Sequence, residues 1–234
     1  MASIQMEMGN NDSAKSIYKK LVELDPNEGF NKYMCLAQLS QELEAVEFYQ
    51  KGIELMLRAH EKQTREQANG PGTSGAFAGD DDDDDEEDCQ LVKRSDISTA
   101  YGSVAEIYLT DLCMEENAAE LCKHFLDNSL EYEPTNPESL QLFASYWLSK
   151  ADLEQARKYI LESLDNWLPQ YVEASEGGLL VDPSQVISLT YDSRINTSRI
   201  LTEVDEFDKA ITVLEQLVEE DDEVVVVSFF ILVK

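Results

Sequence analysis

Side chains able to do covalent or metal chemistry are sparse in this sequence. Its 234 residues include two histidines, His60 and His124, and four cysteines, Cys35, Cys89, Cys113 and Cys122. Cys113, Cys122 and His124 come nearest to a ligand set, but their spacing fits no zinc pattern, and no C-x-x-C pair or secreted disulfide framework occurs. There is no glycine-rich phosphate loop, and no segment brings a Ser-His-Asp or Cys-His group into register. The expectation is a non-enzyme with no catalytic residue, no metal and no cofactor.

Carboxylate is what the chain has in quantity. Eighteen Lys and Arg stand against 48 Asp and Glu, a formal net charge of −30. Residues 1–65 carry 10 acids and 8 bases, residues 66–95 carry 10 and 2, and residues 96–234 carry 28 and 8. The nine-acid run Asp80–Asp88 is therefore less than half of the excess, and the C-terminal part is strongly acidic in its own right. Such a surface disfavours direct nucleic-acid binding, which needs basic residues, and disfavours anionic membranes. It suits a cationic protein partner, steered by a field that salt screens. The opening MASIQMEMGNND has neither the basic region nor the apolar core of a signal peptide. The apolar run Val224–Val233 falls short of the roughly 20 residues needed to cross a bilayer. With the cysteine usage, this predicts a reducing compartment, the cytoplasm or nucleus.

These acids have to be positioned by helices. NDSAKSIYKKLVELDP (residues 11–26) sets Ala14, then Tyr18 four residues on, then Pro26. A small and a large residue at this spacing share one helical face, and Pro stops the helix. The phrase returns around Ala45, Tyr49 and Gly52. It returns with Cys122, Leu126 and Pro134; with Ala156, Ile160 and Pro169; and with Ala210, Leu214 and Asp222. An amphipathic partner precedes most copies, marked by Leu36-Ala37, Val104-Ala105 with Tyr108, Phe143-Ala144 with Trp147, and Thr197-Ser198 with Leu201. The small residue lets two helices approach closely, and the large ones fill the space between hairpins. This is the tetratricopeptide pattern, with a period of about 34 residues. Cys35 and Cys122 fall at packing positions, which accounts for both.

The fold class expected is all-α, a tetratricopeptide-repeat solenoid of helical hairpins with a disordered acidic insertion. Residues 1–59 hold the N-terminal repeats, the first of them incomplete, and residues 60–95 a flexible insertion rich in Gly, Ser and Asp. Central repeats fill 96–168, a loop with Gly177-Gly178 and Pro183 fills 169–188, and a last repeat with an unpaired final helix fills 189–234. A solenoid needs polar capping repeats, so the apolar EVVVVSFFILVK suggests a truncated array.

First helices of such hairpins line a concave groove. The first-helix acids Glu106, Asp111, Glu138, Asp192 and Glu203, together with Glu219, Glu220, Asp221, Asp222 and Glu223 before the final helix, are the candidate partner-binding residues. Arg199 lies among them. Tyr108, Trp147 and Tyr191 could hold Arg or Lys by cation–π contact, although Tyr108 and Trp147 fall at packing positions. A co-chaperone docking heat-shock chaperone tails would need a basic clamp, for which Lys32, Arg194 and Arg199 are the available residues. An acidic histone chaperone would share the charge logic.

The stretches YMCLAQLS, AVEFYQKGIELM, EIYLTDLC (Glu106–Cys113) and LVEEDDEVV (Leu217–Val225), with the acidic insertion between them, carry a further resemblance. The chain resembles the eukaryotic tetratricopeptide assembly chaperones dedicated to the large-subunit ribosomal protein L-four, over most of residues 9–226. The resemblance implies an acidic groove that captures the basic internal loop of the newly made ribosomal protein. It implies one client bound per monomer, shielded until it enters the pre-60S particle, and residence in both cytoplasm and nucleus. The chain departs from the family's pattern at both ends, where the first half-repeat and a tryptophan-bearing helix are replaced or missing.

Overall fold

The computed structural model describes residues 6, 8–68, 91–176, 187 and 189–220, and every regular element among them is an α-helix. The helices are α1 (Asn11–Leu24), α2 (Asn31–Gln38), α3 (Glu42–Ala68), α4 (Arg94–Leu109), α5 (Ala118–Tyr132), α6 (Pro137–Ser149), α7 (Leu153–Glu176), α8 (Tyr191–Glu203) and α9 (Phe207–Glu220). They fall into two compact units, Met1–Ala100 and Tyr101–Lys234.

In the first unit α1, α2 and α3 pack in succession. The repeat phrase supplies the contact: Ala14, Tyr18, Leu36, Ala37, Ala45 and Tyr49 are all buried. Gly52 belongs to the same face. A Cβ there would stand 3.3 Å from the Cβ of Tyr33 and would displace the end of the Met34 side chain, so glycine eases the close approach of α3 to α2. Lys15 and Lys19 of α1 reach across to Glu44 of α3 at 2.7 and 3.0 Å. This double contact holds the Glu44 carboxyl well below the usual range, at about 2. Downstream, the His60 Nδ1 lies 3.1 Å from the Val92 carbonyl, and Val92 is buried.

The second unit repeats one hairpin. α6 packs on α5, α7 and α8, and α8 packs on α7 and α9. Tyr108 of α4 stacks on Phe125 of α5, ring centroids 5.8 Å apart and nearly parallel. Gly102 lets α4 close on its neighbours, because a Cβ there would meet the Ser139 Oγ at 3.2 Å. Ser139 in turn shares a buried 2.6 Å hydrogen bond with Ser129. The starts and ends of the first helices are set locally. The Asn136 side chain accepts from the backbone N–H groups of Glu138 and Ser139, with Pro137 at the first helical position. Thr190 caps α8 in the same way through the N–H of Ser193. α6 and α8 both end in Schellman turns. Ala151 and Asp152 donate to Leu148 and Trp147, and Asp205 and Glu206 donate to Thr202 and Leu201. The left-handed position in each is taken by Ala151 and Asp205 rather than glycine.

Two boundaries differ from the sequence reading. Pro169 was expected to end a helix at 168 and open a loop over 169–188, yet α7 runs on to Glu176 with Pro169 inside it. The spacing of Leu164, Trp167 and Tyr171 explains this. All three are buried in the core cluster with Leu201, Val213 and Leu217. That burial outweighs the roughly 3 kcal/mol that an internal proline costs a helix. The insertion was placed at 60–95, yet α3 continues to Ala68 and α4 begins at Arg94. Alternating charges at Lys51, Glu54 and Arg58, and at Glu61 and Arg65, support α3 along this length. The run Asp80–Asp88 and the apolar segment Val224–Val233 lie outside the described residues.

The small-residue positions leave no room for growth. Ala156→Leu is expected to lower the free energy of unfolding by about 1–3 kcal/mol, while Ala151→Gly, which relieves a left-handed backbone, raises it by under about 1 kcal/mol. Urea denaturation of both variants checks this.

Candidate functional site

Three of the expected acids come together electrostatically on the α4–α6 part of the second unit. Glu106 sits on the last turn of α4, Asp111 in the turn that follows, and Glu138 on the first turn of α6. Asn136 and Pro137 fix where that first turn begins, and so where Glu138 projects. Burial, with the charge of Glu106 adding to it, pushes the Glu138 carboxyl above its ordinary range. Glu106 is shifted the same way, first because protein atoms crowd its carboxyl and second because Asp111 is near. The helix N-terminus beside Glu138 favours a negative charge, yet the net shift is still upward. No cation pairs with Glu106, Asp111 or Glu138 among the described residues.

Three acids elsewhere in the chain behave in the opposite way. Glu44 and Glu54 are held down by lysine hydrogen bonds, and so is Glu206, by Lys209. Glu106 and Glu138 thus stand out as charges partly stripped of water with nothing supplied in exchange, and Asp111 adds a like charge beside Glu106. A cation arriving from outside would relieve both their desolvation and their mutual repulsion.

The remaining expected residues are distributed differently. Asp192 occupies on α8 the position that Glu138 occupies on α6, two residues after the cap, and it is exposed. Glu203 and Arg199 are exposed on α8. The helical position of Glu219 lies on α9, and Asp221, Asp222 and Glu223 lie outside the described residues. Glu220 is bound internally: its two carboxylate oxygens take the guanidinium of Arg194 at 2.5 and 3.0 Å. Spacing gave no sign of this pair, since 26 residues separate its members.

Of the aromatics, Tyr108 is core. Trp147 is half-buried, with its ring edge-on to Tyr146 at 5.3 Å. Tyr191 faces a cation, but the cation is Arg194, 5.6 Å from the ring centroid. The basic clamp needed for acidic tails is also mostly engaged. Besides Arg194, Lys32 donates to the Asp25 carbonyl and lies over Tyr33. Cys122 fills its small-residue slot and burial pushes its thiol up to about 12, which suits packing and not nucleophilic chemistry. Among the described residues no group of three or more His, Cys, Asp or Glu is arranged to hold a metal ion.

Comparison with known proteins bears on the fold and on sequence similarity. The tetratricopeptide-repeat family matches residues 1–28. A solved structure titled "Assembly Chaperone of RpL4 (Acl4)" superposes with a TM-score of 0.79 over 97% of this chain and 77% of its own, at 24% identity. A tetratricopeptide protein of Thermus thermophilus superposes with a TM-score of 0.52 at 9% identity, over 97% of this chain and 92% of its own. The fold is a tetratricopeptide-repeat fold. In sequence, the chain is similar to a curated "Probable assembly chaperone of rpl4" of Schizosaccharomyces pombe. Identity is 28% over 229 residues, covering 96% of this chain and 58% of the relative. A protein of the same name in Emericella nidulans is 27% identical over 233 residues, covering 95% and 50%. The chain spans about half the length of the curated relatives it matches.

The upward shifts at Glu106 and Glu138 have a definite consequence for stability. The folded chain keeps these protons to higher pH than the unfolded chain does, so the folded state binds more protons between the two pKa values. Stability from these groups therefore falls as pH rises from the ordinary carboxylate value, about 4.3, through the raised folded values. Glu106→Gln/Glu138→Gln is expected to abolish that fall and to gain only roughly a few tenths of a kcal/mol at pH 7, because solvent screens carboxylates that keep contact with water. Glu44 acts in reverse, its contribution being present above the ordinary carboxyl value of 4.5 and lost as pH falls towards about 2. Difference profiles of unfolding free energy against pH, for wild type and variant, separate the two.

Proposed function

We propose that the chain is a non-enzymatic assembly chaperone whose acidic first-helix face holds the basic loop of newly made ribosomal protein L-four. The observation that carries this is the pair Glu106 and Glu138, partly desolvated and without a cation of their own, with the exposed Asp111 beside Glu106. Similarity to proteins named as probable assembly chaperones of rpl4 supports the choice of client over other cationic proteins.

Physically, a polybasic segment repels itself and attracts every polyanion in the cell. An acidic helical face offsets that repulsion, and its field speeds encounter at low salt. Each carboxylate that gains a Lys or Arg partner regains what it lost on desolvation. Asp192 and Glu203 extend the negative field along α8. The chain acts as a monomer on one client, without direct contact to nucleic acid or membrane. Since the client is made in the cytoplasm and used in the nucleus, the chaperone works in both and hands over at the pre-60S particle.

Titration of the protein with the isolated basic loop at low and moderate salt tests this, with a histone tail as control. The expected result is tight binding that selects the loop, weakens with salt, and drops about tenfold in Glu106→Gln/Glu138→Gln. Equal binding of both ligands would reduce the activity to that of a generic polyanion. Loss of binding in a folded, monomeric sample would remove L-four as the client.

A further inference from the structure

The junction of α7, α8 and α9 holds a charge that the surface chemistry does not use. Arg194 is 1% exposed, the only charged side chain so deeply buried among the described residues. Nη1 and Nη2 donate to separate oxygens of Glu220 at 2.5 and 3.0 Å, and Nε points to the Thr190 carbonyl at 3.4 Å. The guanidinium carbon lies 5.1 Å from the Tyr171 ring centroid and 5.6 Å from that of Tyr191. The Tyr171 hydroxyl donates to Glu220 Oε2 at 2.7 Å and lies 3.3 Å from the Gln216 carbonyl. A planar cation between aromatic faces, with a bidentate carboxylate at its edge, is how proteins bind arginine.

We propose that Tyr171, Tyr191 and Glu220 form an arginine-binding cage that the chain fills with its own Arg194, so that Glu220 positions α9 instead of contacting a client. Glu220 is thereby satisfied in charge within the chain, and the client's cations fall to the α4–α6 acids and the exposed acids of α8. This last consequence rests on the function proposed above. The cage itself does not. Filling the site internally also keeps a strong arginine trap from competing with release of a polybasic chain, because a guanidinium bound this way would leave slowly.

Two measurements on the full chain decide it. In Arg194→Ala the emptied cage should take methylguanidinium. The melting temperature of that variant should rise saturably with added methylguanidinium, beyond the effect of sodium at equal ionic strength. Wild type and Arg194→Ala/Glu220→Gln should show no such rise. A response that sodium reproduces, or one that persists in the double variant, overturns the cage. In Glu220→Gln, which keeps Arg194 and its packing, amide exchange should quicken in the last turn of α9 and around Tyr171 while α5 and α6 keep their protection. Affinity for the basic loop should stay within about twofold of wild type. Unchanged exchange overturns the positioning role, as does a loss of affinity matching that of Glu106→Gln/Glu138→Gln. Should wild type fail to bind the loop, the proposed function falls, and the methylguanidinium and exchange results still decide the cage.

Discussion

Two packed helices whose axes close to about 8–10 Å leave room at the crossing for little more than a methyl group or a thiol. That restriction governs this chain. Ala14, Ala45, Cys122, Ala156 and Ala210 all stand at crossings of the second helix of a hairpin, and Ala37, Ala105, Ala144 and Ser198 at crossings of the first. The large residue one turn away, Tyr18 or Leu126 or Ile160, then fills the wedge that opens beside each crossing. Once these pairs are set, each helix has one face committed to burial. Any charge it carries is forced to the other face or to its ends.

The acidic face follows from that commitment. On α6 the inward positions are Leu140, Phe143 and Ala144, so Glu138, one turn before, must leave at the rim of the core. The Asn136 cap fixes the turn from which it leaves. On α4 the same logic takes Val104, Ala105 and Tyr108 inward and leaves Glu106 outward. The acids converge because the hairpins repeat, with no hydrogen bond between them to hold the arrangement. Repulsion at such a site is therefore borne by the apolar core beneath it, and a cluster that would scatter on a flexible loop stays assembled on a rigid one.

Much of this was legible from residue types alone. The small-then-large phrase located the helices and their buried faces, because packing at a crossing tolerates few residue types. Glu106 and Glu138 were legible as first-helix acids from the rule that first helices line one face. Asp111, expected on such a helix, falls instead in the turn after α4, because the helix stops at Leu109. Two features escaped for physical reasons. Pro169 is a strong local stop, but whether a helix ends there depends on what the following turn can bury, and the burial of Tyr171 is a tertiary fact. The pairing of Arg194 with Glu220 is likewise tertiary. A lone arginine among acids reads as solvated until the surrounding tyrosines are placed. The sequence reading also started the insertion too early, since the charges between Lys51 and Arg65 can belong to a solvated helix or to a linker with equal ease until α3 is seen to carry them.

The placement of bases completes the argument. With 48 acids the chain needs cations to stay folded. Several of those it has join elements or brace a helix. Lys15 and Lys19 tie α1 to α3, and Arg157 reaches from α7 to the Val204 carbonyl and Glu206 at the start of α9. Arg194 binds α8 to the end of α9. Lys123 is spent within α5, on Asp127 one turn away. Glu106 and Glu138 are, among the described residues, the carboxylates that burial pushes upward, and neither is paired with a cation. On the function proposed above, this uncompensated burial, more than the abundance of negative charge, is what suits one face of the second unit to a cationic client.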